Sequence, residues 1–182
     1  ILASNTSSLG VTEIASATKR PDKVLGMHFF NPVHLMKLLE LIRGHSTSPE
    51  TIETARAVGV KMGKELIVAA DIPGFATSRL GIALGNEAMR MLEQGVASAE
   101  EIDRAMERGY KHPMGPFKLS DLVGLDVRLS ILEHLTKEIG DQFRPPVILR
   151  KLVRGGHLGK KTGSGFYLWR EDGPVPNPEL SR

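Results

Sequence analysis

The sequence has no cysteine, which excludes a disulfide framework and a thiolate nucleophile and makes a reducing, cytoplasmic setting the expectation. It has no apolar run approaching the ~18–20 residues needed to span a bilayer, so no membrane association is expected. Charge of one sign is scarce. Lys and Arg total 24 against 21 Asp and Glu, a surplus of 3 spread along the chain, which argues against a nucleic-acid platform and suits a small anionic ligand. Paired metal-ligand spacing is missing among the histidines at 28, 34, 45, 112, 134 and 157, and without a thiolate no metal site is expected. A Gly-x-Gly-x-x-Gly fingerprint is absent too, so these residues hold no usual pyrophosphate cradle.

What is present describes an ordered protein. The 182 residues are 41% hydrophobic and 25% charged, enough for one or two domains with real cores. The chain opens on Ile1-Leu2-Ala3-Ser4 with neither an initiator Met nor a basic-then-apolar leader, and reads as a piece of something longer. Ile1–Ala3 reads as the tail of a strand. A short helix follows over Val11–Thr18, and strands over Lys23–Phe30, Met36–Ile42 and Glu65–Ala69. Ser48-Pro49-Glu50 is a helix start, with a capping hydroxyl, proline at the first helical position and an early acid. That helix runs to about Met62 and closes on Gly63.

After Asp71-Ile72-Pro73-Gly74 the pattern changes from strands alternating with helices, as in a mainly parallel sheet, to helices alone. Leu80, Leu84, Ala88, Met91 and Leu92 recur at helical spacing, predicting one helix over Phe75–Gln94. Ser98-Ala99-Glu100-Glu101 is a capping box. The stripe Leu122, Leu125, Leu129, Leu132 is broken near Gly124, and a last helix covers Val147–Arg154. The expected organisation is a back-end remnant of a Rossmann-type α/β domain over residues 1–71. An all-α, dimer-forming domain follows over 72–169, and a loosely held proline-rich tail over 170–182.

One stretch carries chemistry. His28 ends an apolar strand just before Phe29-Phe30-Asn31-Pro32, and Glu40 stands inside the next strand. An isolated His–Glu pair in a soluble protein is most often structural. Here the residue before proline is steered to extended geometry, which leaves the histidine at a strand end, where α/β proteins place ligands. A facing glutamate could fix its tautomer and stabilise an imidazolium, making it a tuned base. Ser7 could be a nucleophile only beside a base, and contact with a substrate oxygen is the less demanding role. The run Gly155–Gly163 imitates a phosphate loop but fails it, because Lys161 stands where Ser or Thr must follow the lysine. It reads as a solvated basic turn or as a donor of lysines to an anion. Gly81-Ile82-Ala83-Leu84-Gly85 merely permits close helix packing.

Taken together, Ser4–Leu9, His28-Phe29-Phe30-Asn31-Pro32, Met36 to Glu40, Pro73-Gly74-Phe75, His112 to Phe117, and Gly159-Lys160-Lys161-Thr162-Gly163 with Gly165-Phe166-Tyr167 resemble the L-3-hydroxyacyl-CoA dehydrogenase family, particularly its bacterial 3-hydroxybutyryl-CoA branch. The motifs keep the family's order and spacing from Ile1 to Trp169. The front of the family's nucleotide-binding domain, with its glycine-rich loop, has no counterpart here, so the resemblance is to a C-terminal fragment, expected to be inactive alone. The resemblance implies NAD-dependent oxidation of a short-chain (S)-3-hydroxyacyl-CoA to the 3-ketoacyl-CoA, or the reverse. His28 would be the general base and Glu40 its orienting carboxylate. Ser7 would contact both the reacting oxygen and the nicotinamide edge, with Asn5 beside it and Lys161 reaching the cofactor. Where many members carry Asn after Pro-Gly-Phe, this chain has Ser78, a shorter group that can still donate to a substrate carbonyl. A homodimer through the helical domain is implied as well.

Two other readings compete with this one. A non-catalytic dimerisation or binding module could retain the motifs. A related L-gulonate-type dehydrogenase shares the architecture, although the His-Phe-Phe-Asn-Pro and Met-Gly-Pro-Phe stretches favour acyl-CoA.

Overall fold

Leu2–Ser4 (β1) and Val24–Phe29 (β2) pair in parallel, with Ser4 opposite Gly26, and α1 (Val11–Ser16) makes the crossover. Leu38–Arg43 (β3) then pairs antiparallel to β2, and Glu65–Ala70 (β4) parallel to β3 after the crossover helix α2 (Pro49–Lys61). The sheet order is β1-β2-β3-β4. Its middle pairing departs from a purely parallel sheet for a simple reason. Only residues 30–37 join β2 to β3, and a parallel crossover needs about a dozen or more. The computed structural model describes residues 1–7 and 9–180 and divides into two compact units, 1–79 and 80 onward.

In the first unit both faces of the central strands β2 and β3 are covered. Val24 packs with Val11, Ala15, Ile42 and Phe75, whereas its neighbour Leu25 packs with Leu39, Leu41, Ile52 and Ala55. Strand side chains alternate in direction, so adjacent apolar residues serve the α1 side and the α2 side in turn. The Ser48 hydroxyl accepts from Thr51 N at 3.2 Å, and Pro49 opens α2 as the sequence predicts.

Most of α3 (Thr77–Glu93) belongs to the second unit. It is followed by α4 (Ala99–Gly109), α5 (Pro116–Val123), α6 (Leu125–Glu138) and α7 (Val147–Arg154). The division falls eight residues past the expected boundary at Asp71, because Phe75 packs into the first unit's core and Thr77 bonds to β3. Met89, Ile102, Phe117, Leu132, Leu135, Leu149, Phe166 and Tyr167 form the centre of the helical core. Among the described residues no helix is long and apolar enough to cross a membrane.

The unit is not all-α, and residues 170–180 are not a loose tail. Tyr167–Arg170 (β5) and Gly173–Pro176 (β6) form an antiparallel hairpin, after which Asn177 is buried and donates to Gly165 O at 2.9 Å. Proline disguised the second strand. Pro174 and Pro176 lack the N–H of a ladder residue but are tolerated on an edge.

Two buried aspartates knit the motif loops into this unit. Asp103 accepts from Phe117 N, Lys118 N and the Tyr167 hydroxyl, at 2.8, 3.1 and 2.9 Å. Asp121 accepts from Phe166 N, Tyr167 N and Trp169 Nε1, at 3.0, 2.9 and 3.0 Å. Burial pushes both carboxyls above the usual range, against the pull of these donors. The loops come so close that a methyl group at Gly115 would overlap Asp103, and one at Gly165 would overlap Asp121. The Met-Gly-Pro-Phe and Gly-Phe-Tyr stretches therefore have an architectural reason of their own.

Candidate active site

His28 is the penultimate residue of β2 and lies directly across the ladder from Glu40. Facing residues of an antiparallel pair bring their side chains together, and here Nδ1 of the imidazole is 2.7 Å from Glu40 Oε2. The carboxylate is fully buried, and the histidine is 7% exposed. An ionised carboxylate can only accept, which assigns the shared proton to Nδ1 and, in a neutral ring, leaves Nε2 its lone pair. Phe30 and Phe75 flank the imidazole with ring centroids at 4.8 and 5.7 Å.

Glu40 has a further partner that sequence reasoning missed. Thr77 N donates to Oε1 at 3.1 Å, and the Thr77 hydroxyl donates to Oε2 at 3.0 Å. The preceding turn makes this possible. Gly74 and Phe75 take φ of 81° and 47°, left-handed conformations that cost a non-glycine residue free energy. The turn lays Phe75 on the histidine and starts α3 at Glu40.

The other expected residues of the first unit lie in the segments that follow β1 and open α3. Strands β1 and β2 run the same way, so residues 5–7 leave the sheet at the edge where β2 ends, the carboxyl edge at which α/β sheets bind ligands. Asn5 Oδ1 accepts from Phe29 N at 3.0 Å, which ties the loop to the residue after His28. Ser7 is exposed in a bend, and Ser78 is half-buried in the first turn of α3, next to Thr77. Asp71, also missed, receives Val11 N and Thr12 N at 2.9 and 2.7 Å. It therefore fixes the start of α1, where the serine loop returns. Lys64 Nζ holds the loop after Asn31-Pro32 through the Val33 and Met36 carbonyls.

Lys161 belongs to the second unit. It is exposed, and its ammonium lies 2.6 and 2.7 Å from the two Asp126 oxygens; this contact holds the Asp126 carboxyl below its usual range. Lys160 stands over the Trp169 ring at 5.2 Å. The basic turn is thus partly internally paired.

Comparison with known proteins adds two family matches. Residues 1–72 match a family model described as "3-hydroxyacyl-CoA dehydrogenase, NAD binding domain", and residues 74–169 match "3-hydroxyacyl-CoA dehydrogenase, C-terminal domain". A 3-hydroxybutyryl-CoA dehydrogenase from Clostridioides difficile is 52% identical over 168 residues, 92% of this chain and 60% of its own length. One from Bradyrhizobium diazoefficiens is 46% identical over 177 residues, covering 97% and 60%. The crystal structure of (S)-3-hydroxybutyryl-CoA dehydrogenase from Ralstonia eutropha superposes with a TM-score of 0.91 at 45% identity, over 94% of this chain and 61% of that one. The chain spans about 60% of the length of the curated relatives it matches.

Proposed function

This chain belongs to the 3-hydroxyacyl-CoA dehydrogenase family, and from that premise we propose that it carries the proton-transfer machinery of an NAD-dependent enzyme. That enzyme interconverts a short-chain (S)-3-hydroxyacyl-CoA and the 3-ketoacyl-CoA. The observation that carries the reading is the 2.7 Å bond between the nearly buried His28 and the fully buried Glu40. With Nδ1 committed to Glu40, Nε2 accepts the C3 hydroxyl proton during oxidation and returns it during reduction. Glu40 holds the ring in the tautomer that leaves Nε2 basic, and its charge stabilises the imidazolium that forms. Phe30 and Phe75 pack against the ring at a tilt of 59° and give it an apolar surround. Bound NAD supplies the hydride acceptor.

The exposed Ser7 hydroxyl and the Asn5 amide, at the carboxyl edge of β1, suit the neutral, hydrogen-bonding edge of a nicotinamide. Ser7 and Ser78 are the hydroxyls assigned to the substrate oxygen. Lys161 is the helical unit's proposed cofactor contact. The short acyl chain follows the names of the bacterial relatives. A homodimer through the helical unit is part of the same reading, supported by apolar side chains that α5 and α6 leave exposed.

The test is NADH consumption with acetoacetyl-CoA by the protein at its natural full length, beside His28→Ala and Glu40→Ala. Loss of a positioned base typically costs about 10²–10⁴-fold, and a fall in kcat of that order is expected for His28→Ala. Turnover that neither substitution lowers would refute the assignment.

A further inference from the structure

A fully buried carboxylate needs donors on both oxygens. Among the described residues Glu40 has three: His28 Nδ1–H and the Thr77 hydroxyl on Oε2, and Thr77 N–H on Oε1. Two of the three come from a single residue, 37 positions away in the chain. We propose that Thr77 is a positioning residue for the proposed reaction, its hydroxyl fixing the Glu40 carboxylate that orients His28. The inference rests on the reading of His28 and Glu40 as base and orienter, and it adds a member to that pair.

Three features separate this role from ordinary helix chemistry. A threonine just before a helix usually turns its hydroxyl to accept from an N–H two or three residues on, but Thr77 is the first residue inside α3. The Thr77 hydroxyl donates instead, to a carboxylate on another element. Thr77 N–H is also one of the first amides of the 17-residue α3, which have no partner within the helix and carry partial positive charge. That charge meets the anion the proposed mechanism needs. Finally, the hydroxyl lands on Oε2, the oxygen that also receives the imidazole N–H. Losing it perturbs the atom through which Glu40 acts on His28, while the amide bond to Oε1 stays.

Two substitutions split the hydroxyl from the side chain's shape. Thr77→Val keeps the branched shape and loses the donor; Thr77→Ser keeps the donor and loses a methyl group. In the full-length protein Thr77→Val should lower kcat on the order of 10-fold, as expected for loss of a hydrogen bond to a charged group, with KM changed less than kcat. Thr77→Ser should recover most of the loss. In a Glu40→Gln background Thr77→Val should cost little more, because the hydroxyl acts through the carboxylate. Should Thr77→Val fail to fold, Thr77→Ala takes its place and is read against Thr77→Ser in the same way.

A hydroxyl-less variant with unchanged kcat would overturn the proposal, as would a Thr77→Ser defect as deep as the Thr77→Val one. Either result, with His28→Ala still inactive, sinks only the role of Thr77. Activity surviving in His28→Ala sinks the assignment beneath it.

Discussion

Arg128 lies inside the helical unit, 3% exposed, and Nη1 reaches the Gly81 carbonyl only at 3.5 Å. Its Nε has no acceptor among the described residues. Burial lowers its pKa to about 10, opposed by the charge of Asp121. The guanidinium fits because Gly85 has no side chain: a methyl group there would sit 2.5 Å from Nη1 and 3.2 Å from Cζ. Of the small residues at 81 and 85, which the sequence offers only as a packing pattern, Gly85 makes the room for this cation; Gly81 lends its carbonyl, and a methyl group there would meet nothing. Gly85→Ala is expected to cost about 1–3 kcal/mol as an overpacked site, read as a lower urea midpoint. Arg128→Met, which drops the charge and the fork, should remove most of that cost. An unchanged midpoint for Gly85→Ala would show that the arginine swings aside freely. At this scale the sequence made His28 and Glu40 legible, since strand ends and an Asn-Pro stop are local signals. Thr77 and Asp71 were not legible, because their partners lie 37 and about 60 residues away.

Among the elements, α4 has the clearest local instruction. The Ser98 hydroxyl accepts from Glu101 N at 3.3 Å, and the Glu101 carboxylate accepts from Ser98 N and Oγ at 3.0 and 2.7 Å. The Ser98 side chain is the main reason the Glu101 carboxyl titrates below its ordinary 4.5, with the Ser98 backbone N–H next. A depressed folded-state pKa means stability that is present above the unfolded value of 4.5 and lost as the pH falls through the folded value. Ser98→Ala removes the cap and should lower stability at neutral pH. The gap from the parent should narrow in acid, as thermal melts at pH 7 and pH 3 would show. A gap that stays the same in acid would mean the carboxylate contributes nothing to the cap. Such boxes announce themselves in sequence, and the expected helix at 147–154 agrees with α7 for the same kind of reason, a Pro-Pro start and a Gly-Gly stop. Strand direction and the β5–β6 hairpin did not, since one depends on loop length and the other on an edge that tolerates proline.

For the whole molecule, the question is how the helical unit covers its remaining apolar surface. Leu119, Leu122 and Val123 of α5 are 38, 48 and 44% exposed, and Val127 of α6 is 43% exposed. The α5 positions are three and four apart, so they share one helix face. Adjacent exposed apolar groups of this kind mark association surfaces more often than scattered ones do. Because Leu122 is already half in water, Leu122→Glu should change the stability of the folded unit by no more than about 0.5 kcal/mol. At an interface between two copies it would bury an unpaired carboxylate, which is costly. Light scattering of the full-length protein at micromolar concentration should give a dimer mass, and Leu122→Glu with Val127→Glu should shift it to the monomer without altering the circular dichroism spectrum. A parent protein that runs as a monomer would remove the dimer from the proposed function. A dimer indifferent to both charges would move the interface to another face of the helices.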